Sequence, residues 1–191
     1  MRVDNKFSPM ISSLVAFMGC FVILSCGRSV IPSDTGVRKA EFCVLSGSNL
    51  VHEIVISSQA RSGKAEIGKY VCQDGVTGQV YSADMSLVEF DQFWRKLSDV
   101  GAFALSNSTV PLEGDLSCFI FHNGISGKCF MIKKSDLNRE GTFQQISQMF
   151  VNANDQRAYK KSFEGSAAEL SKPSLDFLRA LTKGCQGVRS K

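Results

Sequence analysis

Hydrophobic residues recur along this chain with three different spacings. From Met10 to Leu24 (MISSLVAFMGCFVIL) fifteen residues carry no charge. From Ala40 to about Tyr81 the pattern changes to short β-branched and aromatic stretches: Glu41 to Ser46, Leu50 to Ser57, Ala65 to Cys72 and Gln79 to Ser82. The clusters between them, Gly47-Ser48-Asn49, Ser58 to Lys64 and Gln73-Asp74-Gly75, are short enough for antiparallel connections, so the stretches predict a meander of strands. Then the period becomes helical. Ser86 and Glu89 have the spacing of a capping box, Leu87, Phe90, Trp94 and Leu97 follow on one stripe, and Gly101 is placed to end the helix. Trp94 reads as a core residue on that stripe.

Ser117 to His122 and Lys128 to Lys133 predict the arms of a hairpin. A two-residue Asn123-Gly124 turn would set Cys118 opposite Cys129, but also Phe119 opposite Lys128. A four-residue loop from Gly124 to Gly127 instead sets Phe119 against Ile132 and Phe121 against Phe130, and is preferred because it matches apolar residues across the strands. A second helix is expected from Thr142, with Gln145 completing a capping box and Phe143, Ile146, Met149 and Phe150 on one side. A third is expected from Ser171 or Pro173 to Lys183, with Leu175, Leu178 and Leu181 inward and Gly184 beyond its end. Strands and helices do not alternate regularly. The expectation is therefore an α+β fold, an antiparallel sheet of about four to six strands with two or three helices packed on one face.

The uncharged segment differs in kind from the rest. Arg2 and Lys6 precede it, and as a helix its fifteen residues would cover about 22 Å, short of the ~30 Å hydrocarbon core of a bilayer. A basic start followed by an apolar stretch of this length is the layout of an export signal. It ends at Ile23-Leu24-Ser25-Cys26: an aliphatic residue, a second apolar residue, a small residue and a cysteine. These four residues resemble the lipobox of bacterial lipoproteins, with Leu24 where Ala, Ser or Thr is more usual. The resemblance implies acylation of Cys26 on sulfur, palmitate being a typical chain, and cleavage that leaves Cys26 as the new N-terminus. Two acyl chains anchor stably where one binds marginally. It implies nothing about the domain behind. Ser25 and Gly27 also form the small pair of an ordinary signal-peptidase site that would cut before Arg28, and a retained anchor is a third reading. The expected organisation is a signal over 1–25, a flexible tether over 26–39 and a single domain over 40–191.

Composition then sets bounds. With 191 residues, 43% hydrophobic, 21% charged and 4 Pro, the chain is neither disordered nor low-complexity, and is large enough to build its own core. Residues 26–191 hold 20 basic and 17 acidic side chains, a near balance in which Lys133-Lys134 and the Arg157 to Lys161 stretch read as solvated faces. Nucleic acid is not an expected partner, since binding it would call for a concentrated basic stripe. A membrane, through the lipid anchor, and a protein of the cell envelope are.

Seven cysteines become five once Cys20 goes with the signal and Cys26 to lipid. Cys43, Cys72, Cys118, Cys129 and Cys185 are then the candidates for disulfide pairing in an oxidising compartment, and two bridges among them can be drawn in fifteen ways. His122, opposite Cys129 in the preferred hairpin register, suggests a Cys/His nucleophile only weakly. As a zinc site, Cys118, His122 and Cys129 lack a fourth ligand. His52 and Glu53 point to opposite faces of a strand. Phosphate loops, nucleophile elbows and H-E-x-x-H are missing from the sequence, so no cofactor and no metal is expected. The expected role is binding or structural. The alternatives are a soluble secreted or periplasmic inhibitor-like protein and, less favoured, an exported hydrolase.

Overall fold

A computed structural model describes residues 37–59, 63–108, 110–123, 127–137, 141–155 and 157–186. The meander is present and longer than its apolar stretches: β1 (Val37–Ser46), β2 (Asn49–Gln59), β3 (Lys64–Gln73) and β4 (Thr77–Met85) pair in succession, each antiparallel to the next. Asp74 and Gly75 turn β3 into β4 with φ of 50° and 76°, and Val76 donates its N–H to the Gln73 carbonyl at 3.2 Å. Two successive positive φ values give the turn the twist that a hairpin needs. α1 (Leu87–Asp99) starts at the expected capping box: Glu89 N–H donates to Ser86 Oγ at 3.2 Å, and Ser86 N–H donates to Glu89 Oε2 at 2.9 Å.

After α1 come β5 (Leu116–His122), β6 (Gly127–Lys133), α2 (Gly141–Asp155), β7 (Lys160–Ser166) and α3 (Ala167–Gln186). Among the described residues, seven strands join one antiparallel sheet in the order β6-β5-β1-β2-β3-β4-β7, so the fold is α+β, with more strands than the apolar pattern counted. The additional strand is β7, whose sequence (KKSFEGS) is exposed or half-exposed throughout and has no apolar alternation to reveal it. Cross-strand polar pairs hold it to β4: Ser82 with Ser162 at 2.8 Å and Gln79 with Glu164 at 2.9 Å.

The helices do not share one face. α1 and α2 cover the side carrying Phe42, Ile54, Ile67, Phe119, Phe121 and Phe130, where rings meet at centroid distances such as 5.0 Å for Phe42 and Phe119 and 5.2 Å for Phe93 and Phe150. α3 covers the other side, its Leu175 and Leu178 packing with Cys43, Leu45, Leu50, Tyr70, Leu116, Cys118 and Met131. This corrects the expectation of a single covered face. The reason lies in β1 and β5: Phe42-Cys43 and Cys118-Phe119-Ile120-Phe121 are continuous apolar runs, and such a run needs cover on both sides.

The hairpin corrects the preferred register too. Phe119 pairs with Phe130, Cys118 with Met131, Ile120 with Cys129 and His122 with Gly127, leaving Asn123 to Ser126 between the strands. Phe121 lies opposite Lys128, whose ammonium reaches out to donate to the Leu105 carbonyl at 3.0 Å. That escape lets a lysine sit beside a buried ring.

A buried carboxylate and thiol cluster as candidate functional site

Successive odd positions of β1, Lys39, Glu41 and Cys43, fall on the face that α3 covers, because strand side chains alternate. Cys43 lies directly opposite Glu53 of β2 on one side and Cys118 of β5 on the other. Both cysteines are 0% exposed, Glu53 is 2% and Glu41 9%. Two carboxylates are thus taken into the sheet's interior, and each is met by donors. Lys39 Nζ is 2.7 Å from Glu41 Oε1. Cys43 Sγ donates to Glu53 Oε1 at 3.5 Å, and Ser174, brought across by α3, lies 3.1 and 3.2 Å from the two Glu53 oxygens. A buried charge without such partners would cost several kcal/mol.

The electrostatics follow from one ammonium serving two buried acids. Burial, reinforced by the Glu41 charge, pushes the Glu53 carboxyl up to about 7, against the pull of Lys39 and its two hydrogen bonds. Burial opposes the Lys39 ammonium, but Glu41 beside it wins and its pKa is raised. The Cys43 thiol is raised well above its ordinary value, first by burial and then by Glu53 and Glu41, and burial takes Cys118 to about 12. At neutral pH the cluster holds two protonated thiols and a carboxyl poised between its charged and neutral forms.

Chemically this is a proton-sharing cluster more than a nucleophile. Among the described residues, Glu41, Cys43 and Glu53 bring donor atoms within 4.8 Å of one another and are the set that could converge on a cation. Lys39 already supplies the positive charge there, and a metal would first have to displace the Cys43 proton. His122 stands opposite Lys39 at the end of the same row, its pKa lowered by burial and by Lys39. His52 is on the opposite face with Lys69, and burial lowers it as well.

The cysteines proposed from sequence divide by position. Cys43, Cys72 and Cys118 are free thiols, the first and third buried and Cys72 partly exposed, and Cys129 is buried as well. Cys129 faces Ile120, so neither the Cys118 and Cys129 pairing nor the His122 and Cys129 juxtaposition is formed. Cys26, with the whole signal and most of the tether, lies outside the described residues, as does the Cys185 side chain. Of the basic stretch near β7, Arg157 binds Glu89 at 3.0 Å, where Ser86 first and Arg157 next hold the carboxyl down at about 2. Sequence reasoning missed Glu41, Glu53 and Ser174 as a group. The available signal was a glutamate inside an apolar strand, Glu53 before Ile54-Val55-Ile56, together with Glu41 and Cys43 two residues apart; the partner on α3 is 121 residues from Glu53. No protein-family model matches the chain, and no curated protein is similar to it.

Proposed function

We propose that this chain is an exported lipoprotein, held at a membrane through acyl groups on Cys26, whose α+β domain binds or supports a protein partner of the cell envelope. The observation that carries the reading is Ile23-Leu24-Ser25-Cys26 at the end of the uncharged run from Met10. Its chemistry requires the cysteine: a thiol is the acceptor for the lipid, and neither Ser25 nor Gly27 can take its place. Two further features support it. Strand β1 begins at Val37, so ten residues, Gly27 to Gly36, separate the acceptor from the sheet, enough when extended to hold the domain up to about 35 Å from a bilayer surface. No helix among the described residues is long and apolar enough to cross a membrane, so an anchor would have to lie elsewhere.

Binding is preferred to catalysis because the cysteines nearest to acids and histidines are poor nucleophiles. The Cys43 and Cys118 thiols are buried and pushed up in pKa, and a thiol attacks only as its thiolate. The small pair Ser25 and Gly27 favours, as second reading, a soluble exported protein cut before Arg28. Expression of the full chain with radioactive palmitate, followed by fractionation and intact-mass measurement, separates the two. The lipoprotein is expected in membranes, labelled, with an acylated N-terminus at Cys26, and Cys26→Ala is expected to be unlabelled and lost from the membrane. An unmodified N-terminus at Arg28 would overturn the proposal.

A further inference from the structure

We propose that Cys43 and Cys118 are a disulfide site, closing a covalent cross-link between β1 and β5 in the oxidised form of this protein. Their Cα atoms are direct partners in the antiparallel pairing, both side chains are 0% exposed, and both belong to the core beneath α3, so the two sulfurs stand on the same side of the sheet. Directly opposed residues in such a ladder have Cα atoms about 4.5 to 5.5 Å apart, inside the roughly 4.4 to 6.8 Å that a disulfide spans. The register singles this pair out from the others. Cys129 is opposite Ile120 and only a diagonal neighbour of Cys118, at about 7 to 8 Å between Cα atoms. Cys72 on β3 is separated from β1 by the whole of β2, two strand spacings or about 9.5 Å. Of the fifteen ways to draw two bridges, the fold leaves one pair in bonding position among the four described cysteines.

The oxidation needs an electron acceptor, and a small or protein disulfide is the chemical class that fits an export compartment. One cysteine thiolate attacks that disulfide, forming a mixed disulfide and releasing a thiolate. The second cysteine attacks the mixed-disulfide sulfur on the protein's side, the protein S–S bond forms, and the second thiolate leaves. Two thiols of the protein lose two protons and two electrons, and the donor disulfide becomes two thiols. In the closed fold no oxidant reaches either sulfur, so the bond is made while β1 and β5 pair and before α3 covers them. Oxidation also takes from Glu53 the donor at Cys43 Sγ, leaving Ser174 as the hydrogen-bond partner that α3 supplies. The bond therefore changes the cluster as well as the sheet.

Its presence in cells rests on the export proposed above, whereas the sulfur pairing does not, and two arms keep them apart. In the first, the full chain expressed with its own signal is solubilised from membranes, alkylated under denaturing conditions and digested without reductant. In the second, the same protein is reduced, unfolded in urea and refolded with a glutathione redox pair before the same mapping. The refolded protein is expected to yield a peptide linking Cys43 to Cys118, to weigh about 2 Da less than its reduced form for the two lost hydrogens, and to take up two fewer alkyl groups. Cys129→Ala and Cys72→Ala are expected to keep the link, and Cys43→Ser and Cys118→Ser to lose it while folding under reducing conditions. The linked protein is expected to unfold at a higher urea concentration than its reduced form, since a cross-link over so long a loop restricts the unfolded chain. Refolded protein in which both thiols remain alkylatable, or are joined to other cysteines, would overturn the pairing. A link that forms on refolding while the cell-derived protein is fully reduced upholds the pairing and counts against export.

Discussion

At the level of single residues, Glu53 carries a buried carboxyl that titrates near neutrality. Its carboxyl titrates near 4.5 in an unfolded chain and about 7 when burial and Glu41 act on it, so between those values the folded protein holds a proton that the unfolded chain has released. Stability from this group is complete below about pH 4.5 and is lost as the pH rises through 7, a change of roughly 3 kcal/mol. His52 and His122, both lowered below their ordinary 6.5, contribute a slope of the opposite sign under pH 6.5. The difference between wild type and Glu53→Gln therefore isolates the carboxyl: the variant keeps an oxygen to accept from Ser174, and its urea midpoint is expected to exceed that of wild type at pH 8 and to lose that advantage at pH 5. A difference independent of pH would remove Glu53 as the titrating group. The sequence made some of this scale legible and not the rest, for a physical reason. The capping box of Ser86 and Glu89 is a contact between neighbours and was readable from spacing alone. The meeting of Glu53 with Cys43 and Ser174 depends on which strand lies opposite β2 and which helix lies above it.

Among elements, the hairpin shows what an apolar pattern can and cannot specify. The expected registers and the observed one differ by two-residue slips, and a slip of two leaves every side chain on the same face. Alternation therefore assigned Phe119, Phe121, Phe130 and Ile132 to one core correctly while placing each opposite the wrong partner. What decides the register is outside the hairpin: Phe143 of α2 stacks on Phe119 at 5.7 Å and meets Phe130 at 5.8 Å, and Asn107 accepts from the Cys129 N–H at 3.1 Å. α3 likewise departs from the expected start at Ser171 or Pro173: it begins at Ala167 directly from β7, its first N–H donating to the Val76 carbonyl at 2.8 Å. This docking point is tight. A Cβ added at Gly78 would lie 2.8 Å from Tyr70 Cε2, 3.0 Å from Leu170 Cδ1 and 3.2 Å from Ala167 Cα, and the last is backbone that cannot rotate away. Gly78→Ala is expected to cost about 1 to 3 kcal/mol in urea unfolding by lifting the start of α3 from the sheet. Gly68→Ala, whose Cβ would come no nearer than 3.8 Å to the Tyr81 carbonyl oxygen, serves as the control and is expected to be neutral or better. Equal stability of the two variants would mean that α3 does not seat on β4 in this way.

Across the whole molecule, chain order and spatial order are at odds. The first strand of the fold, β1, sits in the interior of the sheet, paired to β2 and to β5, while β7, formed late in the chain, closes an edge. Strand β1 has Phe42 and Cys43 buried on opposite faces, with helices above both, whereas β7 has no buried residue and Phe163 is 42% exposed. The sheet's centre therefore cannot open without separating two ladders and two helix layers, while its β7 edge can detach by breaking one ladder held by polar pairs. Local opening energies should rank accordingly. In native-state hydrogen exchange the amides of Phe42 to Val44 are expected to exchange only through global unfolding, and those of Ser162 to Gly165 at least about a thousandfold faster, the ratio for roughly 4 kcal/mol. The same ranking bears on the anchor proposed at Cys26. Residues before Val37 attach to the N-terminal end of the most protected strand, so a pull on an anchor at Cys26 would load the sheet's interior strand and leave the weak edge unloaded. Exchange in β7 as slow as in β1 would require a cover over that edge, by another part of the chain or a second molecule, and would replace this account of an open edge with one of an occupied interface.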